Sequence, residues 1–204
     1  MNHQNEIRKL FLALLLFVVA SPLLLAQGNM NYQIGNSLLQ QQRFEEALEI
    51  FNDLSEEQPQ QFLFQEKVVD CLVELKRYED AIEQLNAYKR RYSSGGMATI
   101  KLAEVFHIQG DTATAYQTWD QNLEKYGRSL QVYIQTAQSM NDRREFRRAI
   151  ELYKKGRKVF NNQQLFFLDL ANAYMQAGDY ENSIGEYLKY IKQNPAQMRL
   201  FQRT

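Results

Sequence analysis

The chain has few of the residues that cross-link small exported proteins or punctuate β-rich domains. Its 204 residues include a single cysteine, Cys71, so no disulfide can form within the chain. Three prolines and nine glycines are too few for a turn-rich β protein. The formal net charge is zero, which gives no support for a nucleic-acid-binding face or for a partner selected by bulk charge. Stability must therefore come from packing of the apolar residues, which are 45% of the chain.

Motifs of the common enzyme and cofactor sites are also missing. The sequence has no nucleotide-binding glycine loop, no H-E-x-x-H and no G-x-S-x-G. Glu104 stands one helical turn before His107, but two such residues are too few for a metal site. Cys71 has no histidine tied to it by sequence and falls on the inner face of a predicted helix, so we expect a small buried apolar residue. We expect no catalytic step, no cofactor and no metal.

The N-terminus has the pattern of an export signal. Arg8 and Lys9 precede an apolar run that begins at Leu10 and ends at Ala26. Cleavage is expected after Ala26 or, with a better fit to the small-residue rule, after Ala20. The run is at the lower limit for a membrane-spanning helix, so an uncleaved anchor is the alternative. The sequence thus predicts an exported protein, periplasmic, in the cell envelope or secreted, and favours a bacterial source.

A small residue recurs every 34 residues through the rest of the chain, and a large residue follows it four positions later each time. The small residues are Ala47, Ala81, Ala115, Ala149 and Ser183. The large residues are Phe51, Leu85, Trp119, Tyr153 and Tyr187. In the first half of each unit, a further series has small to medium residues, which are Gly35, Val69, Ala103, Ala137 and Ala171. Apolar spacings of three and four without alternation of period two indicate amphipathic helices and no strands.

Each 34-residue unit therefore predicts two antiparallel helices joined by a short turn, which is Gly-Asp in two of the five units. One helix pair cannot bury its apolar face alone, but a row of pairs can. This order of small, aromatic and proline positions resembles the tetratricopeptide repeat (TPR) family, most clearly from Tyr32 to Pro59 and from Leu165 to Pro195. Thr112 and Gly156 are departures from the pattern.

The resemblance implies an all-α fold, an α-solenoid of five antiparallel helix pairs wound into a right-handed superhelix. We expect a signal segment at residues 1–26, repeats at 28–61, 62–95, 96–129, 130–163 and 164–197, and the start of a truncated capping helix or sixth repeat at 198–204. In this family the first helix of each pair lines a concave groove that receives a protein or peptide.

Three series of positions would face that groove. They are Tyr32, Glu66, Ile100, Ile134 and Leu168; then Asn36, Asp70, Glu104, Gln138 and Asn172; then Leu39, Val73, His107, Asn141 and Met175. The amides of Asn36 and Asn172 can both donate to and accept from a peptide backbone. The central acids favour a neutral or basic segment, and the lack of Lys and Arg at these positions makes an acidic chaperone tail a poor ligand. Solvated helix faces without a ligand are the equally open alternative.

Taken together, these features predict a protein-binding scaffold of the cell envelope. Two other hypotheses remain. The repeats could be the N-terminal interaction region of a longer envelope assembly factor or enzyme. They could also self-associate through an uncapped C-terminal face. The basic cluster at residues 142–148 predicts a solvated turn or, alternatively, a docking patch.

Overall fold

The computed structural model describes residues 30–93 and 96–195. These residues contain ten α-helices and no strand. The predicted signal segment at 1–26 and the predicted capping segment at 198–204 lie outside the described residues. Within the described ranges, no helix is both long and apolar enough to cross a bilayer.

The helices follow one another in five pairs, with the odd-numbered helix first. They are α1 (30–40), α2 (Phe44–Glu57), α3 (Phe62–Glu74), α4 (Tyr78–Arg91), α5 (Met97–Gln109), α6 (Thr112–Tyr126), α7 (Leu130–Asp142), α8 (Phe146–Val159), α9 (Phe167–Gln176) and α10 (Tyr180–Gln193). The predicted all-α, TPR-like fold class is confirmed. The chain divides into two compact units at a boundary within α4, Met1–Gln84 and Leu85–Thr204.

In the first unit, the interior forms where small residues let helices approach. Ala47 and Phe51 on α2 are fully buried, as is Val69 on α3. Gly35 on α1 lies directly against Phe51, because a Cβ at Gly35 would be 2.6 Å from Phe51 Cζ. Cys71 is buried in the same interior, as predicted.

In the second unit, Trp119 of α6 and Tyr153 of α8 are the largest fully buried side chains. They share a core cluster with Ala103, Ala115 and Ala149, which are also inaccessible to solvent. Close packing explains the spacing, since a small residue at a helix crossing makes room for a large one a turn later. The whole small series, from Ala47 to Ser183, is buried, as the repeat pattern predicts.

The turns within the pairs repeat a left-handed backbone conformation at the same position of every unit. The residues with positive φ there are Gln42, Lys76, Gly110, Arg144 and Gly178. At the two predicted Gly-Asp turns, the carboxylate of Asp111 accepts a hydrogen bond from Thr114 N at 3.1 Å and that of Asp179 accepts one from Asn182 N at 3.2 Å. Glycine tolerates positive φ without strain, whereas the three long side chains do not.

The second helix of the last pair, α10, is more exposed on its outer face than α8, its equivalent in the fourth pair. Ile150 of α8 is buried, but the equivalent residue of α10, Ile184, is exposed, and Tyr187 is only half-buried. Ser183 is nonetheless inside, where its Oγ donates to the carbonyl oxygen of Ala171 at 2.8 Å. The inner face of α10 is therefore packed and its outer face is open among the described residues.

Candidate functional site

In the first unit, the structure leaves all six predicted groove residues half-buried. They are Tyr32, Asn36, Leu39, Glu66, Asp70 and Val73. The ring of Tyr32 lies 6.0 Å from those of Phe51 and Phe64, centroid to centroid, so it packs against the core aromatics. Lys67 Nζ lies 3.2 Å from Asp70 Oδ2, and this ion pair reduces the negative charge that Asp70 offers to a ligand.

In the second unit, the predicted groove residues differ widely in exposure. Gln138, Leu168, Asn172 and Met175 are exposed, whereas Glu104, His107, Ile134 and Asn141 are half-buried. Ile100 is only 5% exposed, so its side chain is part of the interior and does not line an open surface. The most accessible stretch is therefore on α9.

The exposed face of α9 places an amide between two apolar side chains. Leu168, Asn172 and Met175 are four and three residues apart, which puts them on one face of the helix. The Tyr187 hydroxyl donates to Asn172 Oδ1 at 2.6 Å. This bond orients the amide, so that Nδ2 can donate to a backbone carbonyl while Leu168 and Met175 contact apolar side chains. We call these three residues the α9 strip.

Charged side chains form a network between α5 and the turn that joins α7 to α8. Lys101 Nζ lies 3.3 Å from Glu104 Oε2, and Arg143 reaches the same oxygen at 4.0 Å. His107 Nε2 lies 3.0 Å from Glu145 Oε1. Glu104 therefore has two cations beside it, and the negative charge behind the predicted preference for basic segments is smaller than the sequence indicates.

Glu145 is the residue of this network that sequence reasoning missed. Burial alone would raise its pKa, but hydrogen bonds from His107 and Tyr116 hold the pKa of Glu145 below its ordinary value. The hydrogen bond to Glu145 raises the pKa of Tyr116 in turn. His107 finds its carboxylate 38 residues away in sequence, so spacing along one helix could not have indicated it. In the part of the chain that the structure describes, no three His, Cys, Asp or Glu side chains are grouped to hold a metal.

A cavity of about 380 Å³ opens between α6, α7 and α8. It is lined by Asp120, Leu123, Met140, Arg147, Arg148, Glu151, Leu152 and Lys155. Arg148 is already engaged, since its guanidinium lies 3.2 Å from Asp120 and 4.1 Å above the ring of Tyr116. Part of the predicted basic cluster thus lines a cavity, which the run of charges alone did not indicate.

Antiparallel helix pairs with a buried small residue every 34 positions define a helical-repeat protein. The family model for the tetratricopeptide repeat matches residues 32–96 and 137–197, which is more than half of the chain. The chain belongs to the tetratricopeptide repeat family. The unmatched residues 97–136 include the third repeat, where Thr112 replaces the usual aromatic residue.

One relative of known identity matches most of the chain. The chain is 24% identical over 169 residues to an Hsp70-Hsp90 organising protein of Plasmodium falciparum, covering 82% of the chain and 30% of that relative. The chain therefore spans less than a third of the length of the curated relative it matches.

Two solved structures have a similar fold. One comprises the TPR-like repeats of a candidate kinesin light chain from Podospora anserina, with a TM-score of 0.52, 13% identity and coverage of 83% of this chain and 95% of that one. The other is a thermophilic TPR protein of Thermus thermophilus, with a TM-score of 0.50, 17% identity and coverage of 86% and 96%. Repeats of this family make the chain a protein-interaction scaffold.

Proposed function

We propose that this chain is an exported scaffold of the cell envelope that binds an extended protein segment along the first helices of its repeats, without a catalytic step. The α9 strip is the observation that carries the proposal. Its exposed amide is already oriented by Tyr187, and it lies between two exposed apolar side chains. A solvated helix face does not need apolar residues at both flanking positions, whereas a peptide-binding face does.

The ligand that fits best is a neutral extended segment with apolar side chains. Ion pairs already reduce the charge of the acids at Asp70 and Glu104. None of the predicted groove positions holds Lys or Arg. For this reason the proposed ligands do not include Hsp70 and Hsp90, the two chaperones that appear in the name of the organising-protein relative. Export is supported by the basic and apolar pattern of the first 26 residues.

Site-specific photo-cross-linking tests the binding face. A benzophenone amino acid replaces Met175 in the strip or, as a matched control, the exposed Lys158 on α8. Irradiation in cells should link the Met175 variant, and not the Lys158 variant, to a distinct protein partner. Equal linking from both positions would reject the α9 strip as the binding face.

A pair of substitutions separates recognition by the amide from support of the fold. Asn172→Ala removes both the amide and its hydrogen bond to Tyr187, whereas Tyr187→Phe removes only the hydrogen bond. If the amide contacts the ligand, Asn172→Ala abolishes the cross-link at Met175 and Tyr187→Phe retains most of it. Equal loss in both variants would assign Asn172 to packing.

Export has its own measurement. Fractionation of cells that produce the chain should place it in the envelope or outside the cell, and mass spectrometry should find an N-terminus at Ser21 or Gln27. An intact N-terminus on a membrane-bound chain would support the anchor instead. A chain that remains in the cytoplasm would reject export and leave the peptide-binding proposal standing.

A further inference from the structure

The outer face of α10 presents three large apolar side chains in one row. Tyr180, Ile184 and Leu188 are 66%, 58% and 61% exposed. Their spacing of four residues places them along one side of the helix. All three are more exposed than Leu168 or Met175 of the α9 strip. This row, together with Gly185, is called the α10 face below.

Two positions of this face depart from all four earlier repeats. Where the last repeat has Gly185, the earlier ones have Glu49, Glu83, Gln117 and Glu151. Where it has Leu188, they have Asn52, Asn86, Asp120 and Lys154. Polar side chains, most of them exposed, thus occupy these two positions in the four earlier repeats, whereas glycine and leucine occupy them in the last.

A further repeat in the solenoid would not cover the position of Gly185. In the fourth repeat, Glu151 remains exposed although the fifth repeat follows it. Ile150 belongs to a core cluster that includes Leu170 of the fifth repeat, and Lys154 Nζ lies 5.7 Å from the ring centroid of Tyr174 in that repeat. Continuation of the chain after α10 would therefore account for apolar residues at Ile184 and Leu188, but not for Gly185.

Packing among the described residues does not explain the glycine. A Cβ at Gly185 would meet no atom within 4 Å, in contrast to Gly35, where Phe51 occupies the space. Glycine inside a helix costs about 1 kcal/mol relative to alanine, so a compensating use is expected. Absence of a side chain lets a second helix backbone come close.

The charges around the face are those of a self-complementary surface. Glu181 lies in the first turn of α10 and Lys192 in the last, and both are exposed. An antiparallel copy of the same helix would bring the acidic end of each against the basic end of the other. The antiparallel arrangement would also place the positive end of each helix dipole beside the negative end of the other, which is favourable. A two-fold axis generates such a pairing of one patch with itself.

We propose that α10 packs antiparallel against α10 of a second copy of this chain, through Tyr180, Ile184, Gly185 and Leu188. The interface lies on the second helix of its pair, so it leaves the α9 strip of each copy to its own ligand. It does not depend on the proposed peptide binding.

Sedimentation of the protein, purified with the N-terminus that the cell produces, tests the association. The chain should shift from monomer to dimer between about 1 and about 100 μM. Leu188→Lys and Gly185→Glu install the residues of the fourth repeat, so folding should be retained. Each should weaken the dimer by about 100-fold, as expected for a charge at the centre of an apolar interface. Met175→Lys, a charge on the exposed part of α9, is the matched control and should leave the dimer unchanged.

Disulfide trapping tests the orientation. In a Cys71→Ala background, a Tyr180→Cys chain mixed with a Leu188→Cys chain should form a mixed cross-linked dimer under mild oxidation, faster than either chain with itself. Preferential self-linking of each chain would overturn the antiparallel arrangement. A wild-type chain that remains monomeric at all concentrations would overturn the proposal, whether residues 196–204 or a different protein then prove to cover the face.

Discussion

Arg157 of α8 and Glu186 of α10 form a buried bidentate ion pair, with nitrogen-to-oxygen distances of 2.6 and 3.2 Å. Their side chains are 10% and 8% exposed. Arg157 Nε also donates to the carbonyl oxygen of Leu165 at 2.7 Å, and its guanidinium lies 4.9 Å from the ring centroid of Phe167. One side chain therefore connects α8, the turn before α9, α9 itself and α10.

Loss of the carboxylate should destabilise this end of the fold strongly. Glu186→Ala leaves Arg157 buried without its counter-ion, and breaking such a pair costs about 3 kcal/mol or more. The free energy of unfolding, measured by urea denaturation, should fall accordingly. The double variant Arg157→Met with Glu186→Leu should recover much of the loss, because apolar side chains of similar size carry no desolvation penalty. A single variant as stable as the wild type would show that the pair contributes nothing.

Acid should weaken the fold through two glutamates. Burial alone would raise the pKa of Glu186, but hydrogen bonds from Arg157 and Lys189 hold it below the ordinary value of 4.5, and Glu145 is lowered in the same sense by His107 and Tyr116. A carboxylate with a lowered folded-state pKa contributes stability that is present above the unfolded-state pKa and is lost as the pH falls through the folded-state pKa. The free energy of unfolding should therefore decrease as the pH falls below about 4.5, and this decrease should be smaller in Glu145→Gln.

Asp169 provides an internal control of opposite sign. Burial raises the pKa of Asp169 on α9, so its protonation on acidification favours the folded state. Asp169→Asn removes this compensation and should make the loss of stability in acid steeper than in the wild type. A flatter profile in Asp169→Asn would contradict the assigned direction.

Much of the fold could be predicted because the same spacing of small and large residues occurs in each of the five repeats. The buried series from Ala47 to Ser183 and the helix-ending turns at Gly110 and Gly178 follow from spacing and backbone chemistry alone. Thr112 departs from the repeat pattern, and the family model leaves the surrounding third repeat unmatched, but it matches most of the fourth repeat in spite of Gly156.

Contacts between side chains in different repeats could not be predicted in the same way. Glu145 and Glu186 lie outside the three series that the 34-residue period marks, and each finds its partner only after neighbouring pairs pack. Ile100 shows the same limit, because its position predicts a groove whereas its neighbours enclose it. The binding role of the remaining groove positions stays a prediction.

Gly156, which departs from the repeat pattern, should prove necessary for packing. A Cβ there would lie 2.8 Å from Phe166 Cε2 and 3.1 Å from Tyr133 Cδ1. Gly156→Ala should therefore lose about 1–3 kcal/mol of unfolding free energy through overpacking, despite a gain of about 1 kcal/mol in helix propensity. Gly185→Ala is the matched control, measured at concentrations where the chain is monomeric. It meets no neighbouring atom and should be neutral or stabilising by up to about 1 kcal/mol. Equal effects at the two positions would contradict the packing argument.

Relief of backbone strain should raise stability at a turn of the first unit. Lys76 has a φ of 59°, at the position where the third and fifth repeats have glycine. Lys76→Gly removes the Cβ clash of the left-handed conformation and should add about 1 kcal/mol, since non-glycine residues lose roughly that much there. Lys76→Ala keeps the Cβ and should give no such gain. Thermal denaturation of both variants distinguishes the strain from a loss of the lysine charge.

The thiol of Cys71 offers a direct probe of opening in the first unit. The residue is fully buried, and burial together with the nearby Asp70 carboxylate raises its pKa to about 12. Thiolate is the reactive form, so both access and ionisation are suppressed in the folded chain. Labelling by an aromatic disulfide reagent at neutral pH should be slower by orders of magnitude in the folded protein than in urea, and should accelerate with denaturant as helices α1–α3 open. If destabilisation at Arg157 and Glu186 is confined to the second unit, Glu186→Ala will leave this rate unchanged in the absence of urea. A large acceleration in that variant would mean that the two units unfold together.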